Sequence, residues 1–165
     1  MSIQSTDIVL RLSGGASNTA ALASLGGAKS STAAPAGIFD DVGGAESSAG
    51  DTEYRCVYVH NAHASLTLQN AVAYLASNTP SNDTAAAIGL GTSAVNGTEQ
   101  TVPDEGTAPA GVTFVAAATQ GAGIALGDIP ALQHRAVWLR RVVNAGAAAY
   151  NGDGFTMNVV GDTAA

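Results

Sequence analysis

Residues 13 to 52 are dominated by Gly, Ala, Ser, Thr and Asn, and only Leu22, Leu25, Ile38, Phe39 and Val42 among them are large and apolar. Ordering a backbone costs roughly 1–2 kcal/mol per residue, and so few anchors cannot bury enough surface to offset it. The stretch is therefore not a domain of its own. It is expected to be ordered only where another surface holds it, and a neighbouring protein is the simplest source of that surface. The chain divides accordingly into an extended N-terminal strand and Gly/Ala/Ser-rich arm over residues 1–52 and a domain over 53–165 that supplies the core. This organisation points to a component of an assembly rather than to a soluble enzyme.

The strand pattern sets the fold class. Asp7 to Leu12 is a short run of strand formers that stops at Ser13-Gly14-Gly15. A lone strand leaves its backbone groups unpaired, so it should add to a sheet, its own or a neighbour's. Glu53 to Val59 is dense in aromatic and β-branched residues, with Tyr54, Cys56 and Tyr58 on one face and Val57 and Val59 on the other. Leu66 to Ala76 forms with it either a hairpin or a corner between sheets. Further strands are predicted at 85–90, 111–115, 122–126, 133–143 and 155–160, with a turn at Gly127-Asp128-Ile129-Pro130. Helical turns are conceivable at 16–25 and 145–150. Seven or eight short strands with turn signals about every ten residues, and no sustained helical stripe, indicate an all-β antiparallel sandwich, immunoglobulin-like or jelly-roll-like.

Composition narrows the partners. The 165 residues carry a net charge of −7 with six basic side chains, which argues against a nucleic-acid partner. The N-terminal residues lack a basic segment followed by an apolar run, and no window approaches a membrane span, so a cytoplasmic site of synthesis and no membrane partner are expected. One cysteine, Cys56, excludes an internal disulfide and reads as a small buried hydrophobe.

No pattern carries catalysis or a cofactor. The carboxylates Asp40, Asp41, Asp51, Glu53, Asp104, Glu105, Asp153 and Asp162 fall in no calcium-loop spacing, and turn or solvation roles are expected. His60 and His63 flank a turn, and His134 lies far off, without a zinc spacing. The glycines at 89–91 and 121–123 match no phosphate loop. The residues therefore suggest no catalytic group, no cofactor, no metal and no enzyme. Trp138, in the middle of the strongest strand, reads as an anchor between the two sheets. Arg135 and Arg141 share a strand face opposite Arg140, and could pair with carboxylates of a partner or of their own chain.

The runs Asp7–Asn18, Gly50–Val59, Gly127-Asp128-Ile129-Pro130 and Arg135–Arg141 resemble a family of small virion proteins of tailed bacteriophages. The resemblance implies a minor capsid or decoration (cement) protein, a β-sandwich on the outer shell, often trimeric. Val59-His60-Asn61-Ala62 before Leu66-Thr67-Leu68, and Leu126–Ala131 before a long strand, are also similar to immunoglobulin-like modules of surface proteins. The expected partners are then the major capsid protein and further copies of the chain as a homotrimer, on the virion surface. Ile8, Leu10, Arg11 and Leu12, with Leu22, Leu25 and Phe39 of the arm and Arg135 and Arg141 of the body, are the expected contact residues. The alternative is a host-surface or glycan-binding module with exposed aromatics near Tyr54, Tyr74 or Tyr150.

Overall fold

The computed structural model describes residues 2–163, so the last two positions of the expected 53–165 domain lie outside it. The two strands richest in β-branched and aromatic residues pair with each other. Strand β3 (Asp51–Asn61) runs antiparallel to β9 (His134–Val143), with Asp51 opposite Val143 and His60 opposite His134. On the outer side of β3 lies β1 (Ile8–Leu12), while β5 (Thr84–Leu90) pairs with β9 and carries the short β7 (Phe114–Val115). A second sheet has the order β10 (Thr156–Thr163), β4 (Leu68–Ser77), β8 (Ile124–Ile129). A two-stranded ribbon joins β2 (Gly26–Gly27) to β6 (Glu99–Thr101). All pairings are antiparallel, and the all-β sandwich expected from the strand pattern is the fold.

The large sheet is covered on both faces. Val57, Val59, Ile88, Val137 and Leu139 meet Leu68, Ala73, Leu75, Leu126 and Ile129 of the small sheet, and Leu12 of β1 joins this core. The alternate residues Cys56, Tyr58, Ala136 and Trp138 point the other way, where Val102 and the half-buried Leu25, Tyr54, Val112 and Phe114 cover them. Trp138, expected between the sheets, is instead fully buried in this second core. Its strand face was legible from alternation, but the cover comes from arm and loop rather than from a strand layer.

The arm lies on its own chain. Leu12 N–H donates to Thr32 O at 3.0 Å, Ser30 N–H to Leu12 O at 2.8 Å and Ala34 N–H to Leu10 O at 2.8 Å, so residues 30–34 strap the open edge of β1. Cys56 N–H donates to Ser24 O at 2.7 Å and Val102 N–H to Leu25 O at 3.0 Å, seating residues 24–25 over the second core. Ser13, Ser24 and Ser30 are wholly buried. Ser13 Oγ accepts from Gly26 N–H at 3.0 Å and Ser30 Oγ donates to Asn18 O at 2.6 Å. The surface expected from a neighbour is thus supplied by the sandwich, and hydrogen bonds replace most of the missing apolar anchors.

Of the other local expectations, one open alternative is decided and several are corrected. β3 and β4 belong to different sheets, which makes residues 62–67 a corner. Buried Asn61 pins it, donating through Nδ2 to Leu66 O at 2.8 Å and Ile129 O at 2.9 Å. Gly127 to Ile129 continue β8 instead of turning, and the turn falls at 130–133, where Gln133 N–H donates to Pro130 O. The strand expected at 111–115 is reduced to its last two residues. The 16–25 segment holds a single 3-10 turn at Ala21–Ala23, 145–150 holds no helix, and the one α-helix of the described residues, α1, is at Gly44–Ala49.

The ribbon depends on Gly26. It sits at φ +92°, and a Cβ there would lie 1.8 Å from Gln100 O. Gly26→Ala should therefore destabilise the fold by on the order of 1–3 kcal/mol, measured by urea unfolding followed through Trp138 fluorescence. Gly15→Ala is the matched control, since it too has positive φ but meets nothing within 4 Å.

Candidate functional site

The arm crosses the sandwich at a cluster of charges. The β3–β9 register sets Glu53 opposite Arg141, and alternation brings Arg55 to the same face two residues on. Arg141 Nε donates to Glu53 Oε2 at 2.5 Å, and Arg55 pairs with Glu105 from the loop after β6. Asp40 of the arm lies 3.8 Å from Arg55 Nη2 and 3.6 Å from Arg141 Nη2, and its carbonyl accepts from Arg141 Nη1 at 2.5 Å. The Phe39 ring stacks under both guanidinium groups, at 5.5 Å from Arg55 and 5.0 Å from Arg141, and packs edge-on against Phe155. The Arg55 side chain is wholly buried and that of Glu53 is 1% exposed. Burial pushes the Glu53 carboxyl above its usual range, Arg141 opposes the rise and Asp40 adds to it. Both guanidinium groups are committed to carboxylates, so the chemistry of this seat is attachment. It fastens arm, loop and sheet together.

A second charge stands deeper. Glu99 is 3% exposed, and its carboxylate meets hydrogen-bond donors rather than a cation. Ser93 N–H donates at 2.8 Å, Thr92 N–H at 3.1 Å, Thr92 Oγ1 at 2.9 Å and Trp138 Nε1 at 3.3 Å. Burial acts to raise the Glu99 pKa, but the bonds from Ser93 and Thr92 outweigh it and hold the carboxyl at about 2. Glu99 N–H donates to the Tyr58 hydroxyl at 2.9 Å, and that hydroxyl donates to Gly27 O at 2.6 Å. Burial pushes the Tyr58 phenol up to about 12 and the Cys56 thiol far up as well, so both stay protonated.

The expected contact residues scatter into different environments. Leu12 is buried, Ile8 and Leu10 are half-buried against the main core, and Leu25 is half-buried against the second. Phe39 and Arg141 meet in the charged seat. Arg11 donates to Ser31 O, which fixes the strap, and Arg135 Nη1 donates to Ser93 O at 2.6 Å. Leu22 is 49% exposed and is the one of this set turned outward as a large apolar side chain. His60 and His134 face each other across β3 and β9, but each gives Nε2–H to a carbonyl, Leu132 O and Gly97 O respectively. Burial lowers both imidazole pKa values. Among the described residues no cluster of three metal-ligating side chains contains a histidine.

Sequence reasoning assigned no role to Glu99 or Asn61, and the turn or solvation role expected of Glu53 and Glu105 is corrected, since both pair with arginines of the large sheet. Glu99 and Glu105 fall between the strands expected at 85–90 and 111–115, where no element is expected, and the donors Thr92-Ser93 were the available signal for Glu99. Beside the charged seat opens a cleft of about 680 Å³ lined by Phe39, Asp41, Arg141, Tyr150, Asp153 and Phe155 among others.

The folded-state value of Glu99 lies below its unfolded one, so its stabilisation of roughly 3 kcal/mol is full above about pH 4.5 and is lost as pH falls toward 2. Glu53 has the opposite sign, since its raised value means that protonation relieves a cost present at neutral pH. Glu99→Gln should destabilise at pH 7 and flatten the acid side of the stability–pH curve, as read by urea titrations from pH 7 down to about 2. Arg141→Ala should cost about 3–5 kcal/mol by stranding the buried Glu53 carboxylate, while Arg141→Met with Glu53→Leu should recover most of it in the same assay.

Compared with family models, with curated proteins and with solved structures, the chain matches none.

Proposed function

We propose that the chain is a non-catalytic structural protein of a tailed-bacteriophage virion, a decoration or cement protein that binds the outer face of the major capsid lattice as a homotrimer. The observation that carries the reading is the division of the surface. Buried arginines and glutamates are engaged within the molecule, whereas the arm turns Leu22, Ser31, Ala33, Pro35, Ala36, Gly37 and Val42 to solvent. Small uncharged side chains let another backbone approach closely and lose little entropy when covered. Repetition across a shell then multiplies modest contacts through effective concentration. The resemblance of the strand and turn runs to phage virion proteins supports the same setting.

The cleft favours a second reading, a host-surface or glycan-binding module. Tyr150 is 55% exposed there, beside Phe39, Phe155, Asp41 and Asp153, a mixture of aromatic faces and carboxylates suited to sugar hydroxyls. The two readings separate experimentally. Coexpressed with the major capsid protein of its own genome, the chain should sediment with assembled shells, and Leu22→Asp should release it while leaving its unfolding free energy within about 0.5 kcal/mol of wild type. A chain that stays in the soluble fraction, yet binds immobilised bacterial surface glycans and loses that binding on Tyr150→Ala, would replace the capsid reading.

A further inference from the structure

We infer that Glu46, Asp51 and Glu53 form a binding site for calcium at the junction of the arm with the sandwich. Glu46 belongs to α1 in the arm, while Asp51 and Glu53 stand two residues apart on the same face of β3. One carboxylate oxygen from each lies within 4.8 Å of the others. Oxygens on opposite sides of a calcium ion, each about 2.3–2.6 Å from it, are separated by roughly 5 Å, so one ion can touch all three.

Glu53 is the independent observation that turns an acidic group into a site. Its Oε2 is taken by Arg141, but its Oε1 is buried and has no hydrogen-bond partner. A buried carboxylate oxygen without a partner carries a desolvation cost that a cation would remove. The other two residues are held in a similar way. Glu46 Oε2 accepts from Gly43 N–H at 2.6 Å and Asp51 Oδ1 from Thr52 N–H at 2.7 Å, which orients each carboxylate and leaves a second oxygen on each.

The charge distribution selects this triplet over its neighbour. Asp40, Glu53 and Glu105 also lie within 4.8 Å of one another, but Arg55 and Arg141 already stand among them. A metal ion there would have to displace a guanidinium group. Among the described residues no arginine or lysine pairs with Glu46 or Asp51, so Glu53 and its four neighbouring carboxylates share two cations, and the excess negative charge falls on the Glu46–Asp51 side. A hard, all-oxygen set of this kind suits calcium rather than zinc, and water would complete its six to eight ligands. A bound ion would tie the arm helix to the first residues of β3, next to the charged seat.

The test uses the intact chain, stripped with EDTA and titrated with calcium chloride in an isothermal calorimeter, with thermal unfolding measured in parallel. One ion should bind per chain, and the unfolding temperature should rise as calcium is added up to about 10 mM, well above the roughly 0.1–1 mM dissociation constants of weak extracellular sites. Glu46→Gln with Asp51→Asn, two half-buried positions outside both cores, should keep the circular dichroism of the wild type and weaken calcium binding about tenfold or more. Glu53→Gln should abolish binding even where it shifts stability. Calcium affinity unchanged in the double variant would overturn the site. So would the absence of heat and of a thermal shift, or an equal thermal shift with sodium chloride at matched ionic strength.

Discussion

The antiparallel pairing of β3 with β9 is the constraint on which the rest of the molecule depends. Its register puts Val57 beside Val137 on the face toward the small sheet and Cys56 beside Trp138 on the face toward the arm. The same register sets Glu53 against Arg141. A slip of one residue would turn one strand's side chains to the opposite faces, taking Val57 and Val59 or Val137 and Leu139 out of the main core and parting Glu53 from Arg141. The pairing is therefore specified several times over, by volume on one face, by aromatic and thiol packing on the other and by charge at its end.

Around that pair the chain solves a shortage of large apolar residues with polar bonds. Aromatic residues make up only 5% of the sequence, and the second core is closed by Val102 and half-buried neighbours rather than by a packed layer. Closure comes from Glu99, whose carboxylate gathers Thr92, Ser93 and Trp138 while its N–H meets Tyr58. Buried serines do the same for the arm. Such bonds each contribute modestly but are costly to break singly, because a buried group is left unpartnered.

The strands were legible where side chains alternate. Glu53 to Val59 and Gln133 to Val143 announce themselves by β-branched and aromatic content, and the faces read from their alternation are those of the structure. The arm was not legible, because what orders it is a set of backbone bonds to β1 and β3, and a backbone N–H leaves no mark in the residue names. Glu105 and Glu99 look like ordinary loop carboxylates for the same reason: their partners Arg55 and Trp138 stand about forty or fifty residues away. Arg141 was recognised as a residue that would seek a carboxylate. That the carboxylate is Glu53 of its own chain follows only from the sheet register.

The central position of β9 also bears on how the molecule comes to exist. Its two neighbours in the large sheet, β3 and β5, are made long before it during synthesis, and β1 earlier still. Neither core can close until β9 has emerged, so β3 and β5 wait without their shared partner strand. Contacts of such long sequence separation make folding slow compared with that of helical proteins of equal size. The sparse, Gly- and Ser-rich composition of residues 13–52 suits that interval, because a segment with little apolar surface can wait in water without aggregating.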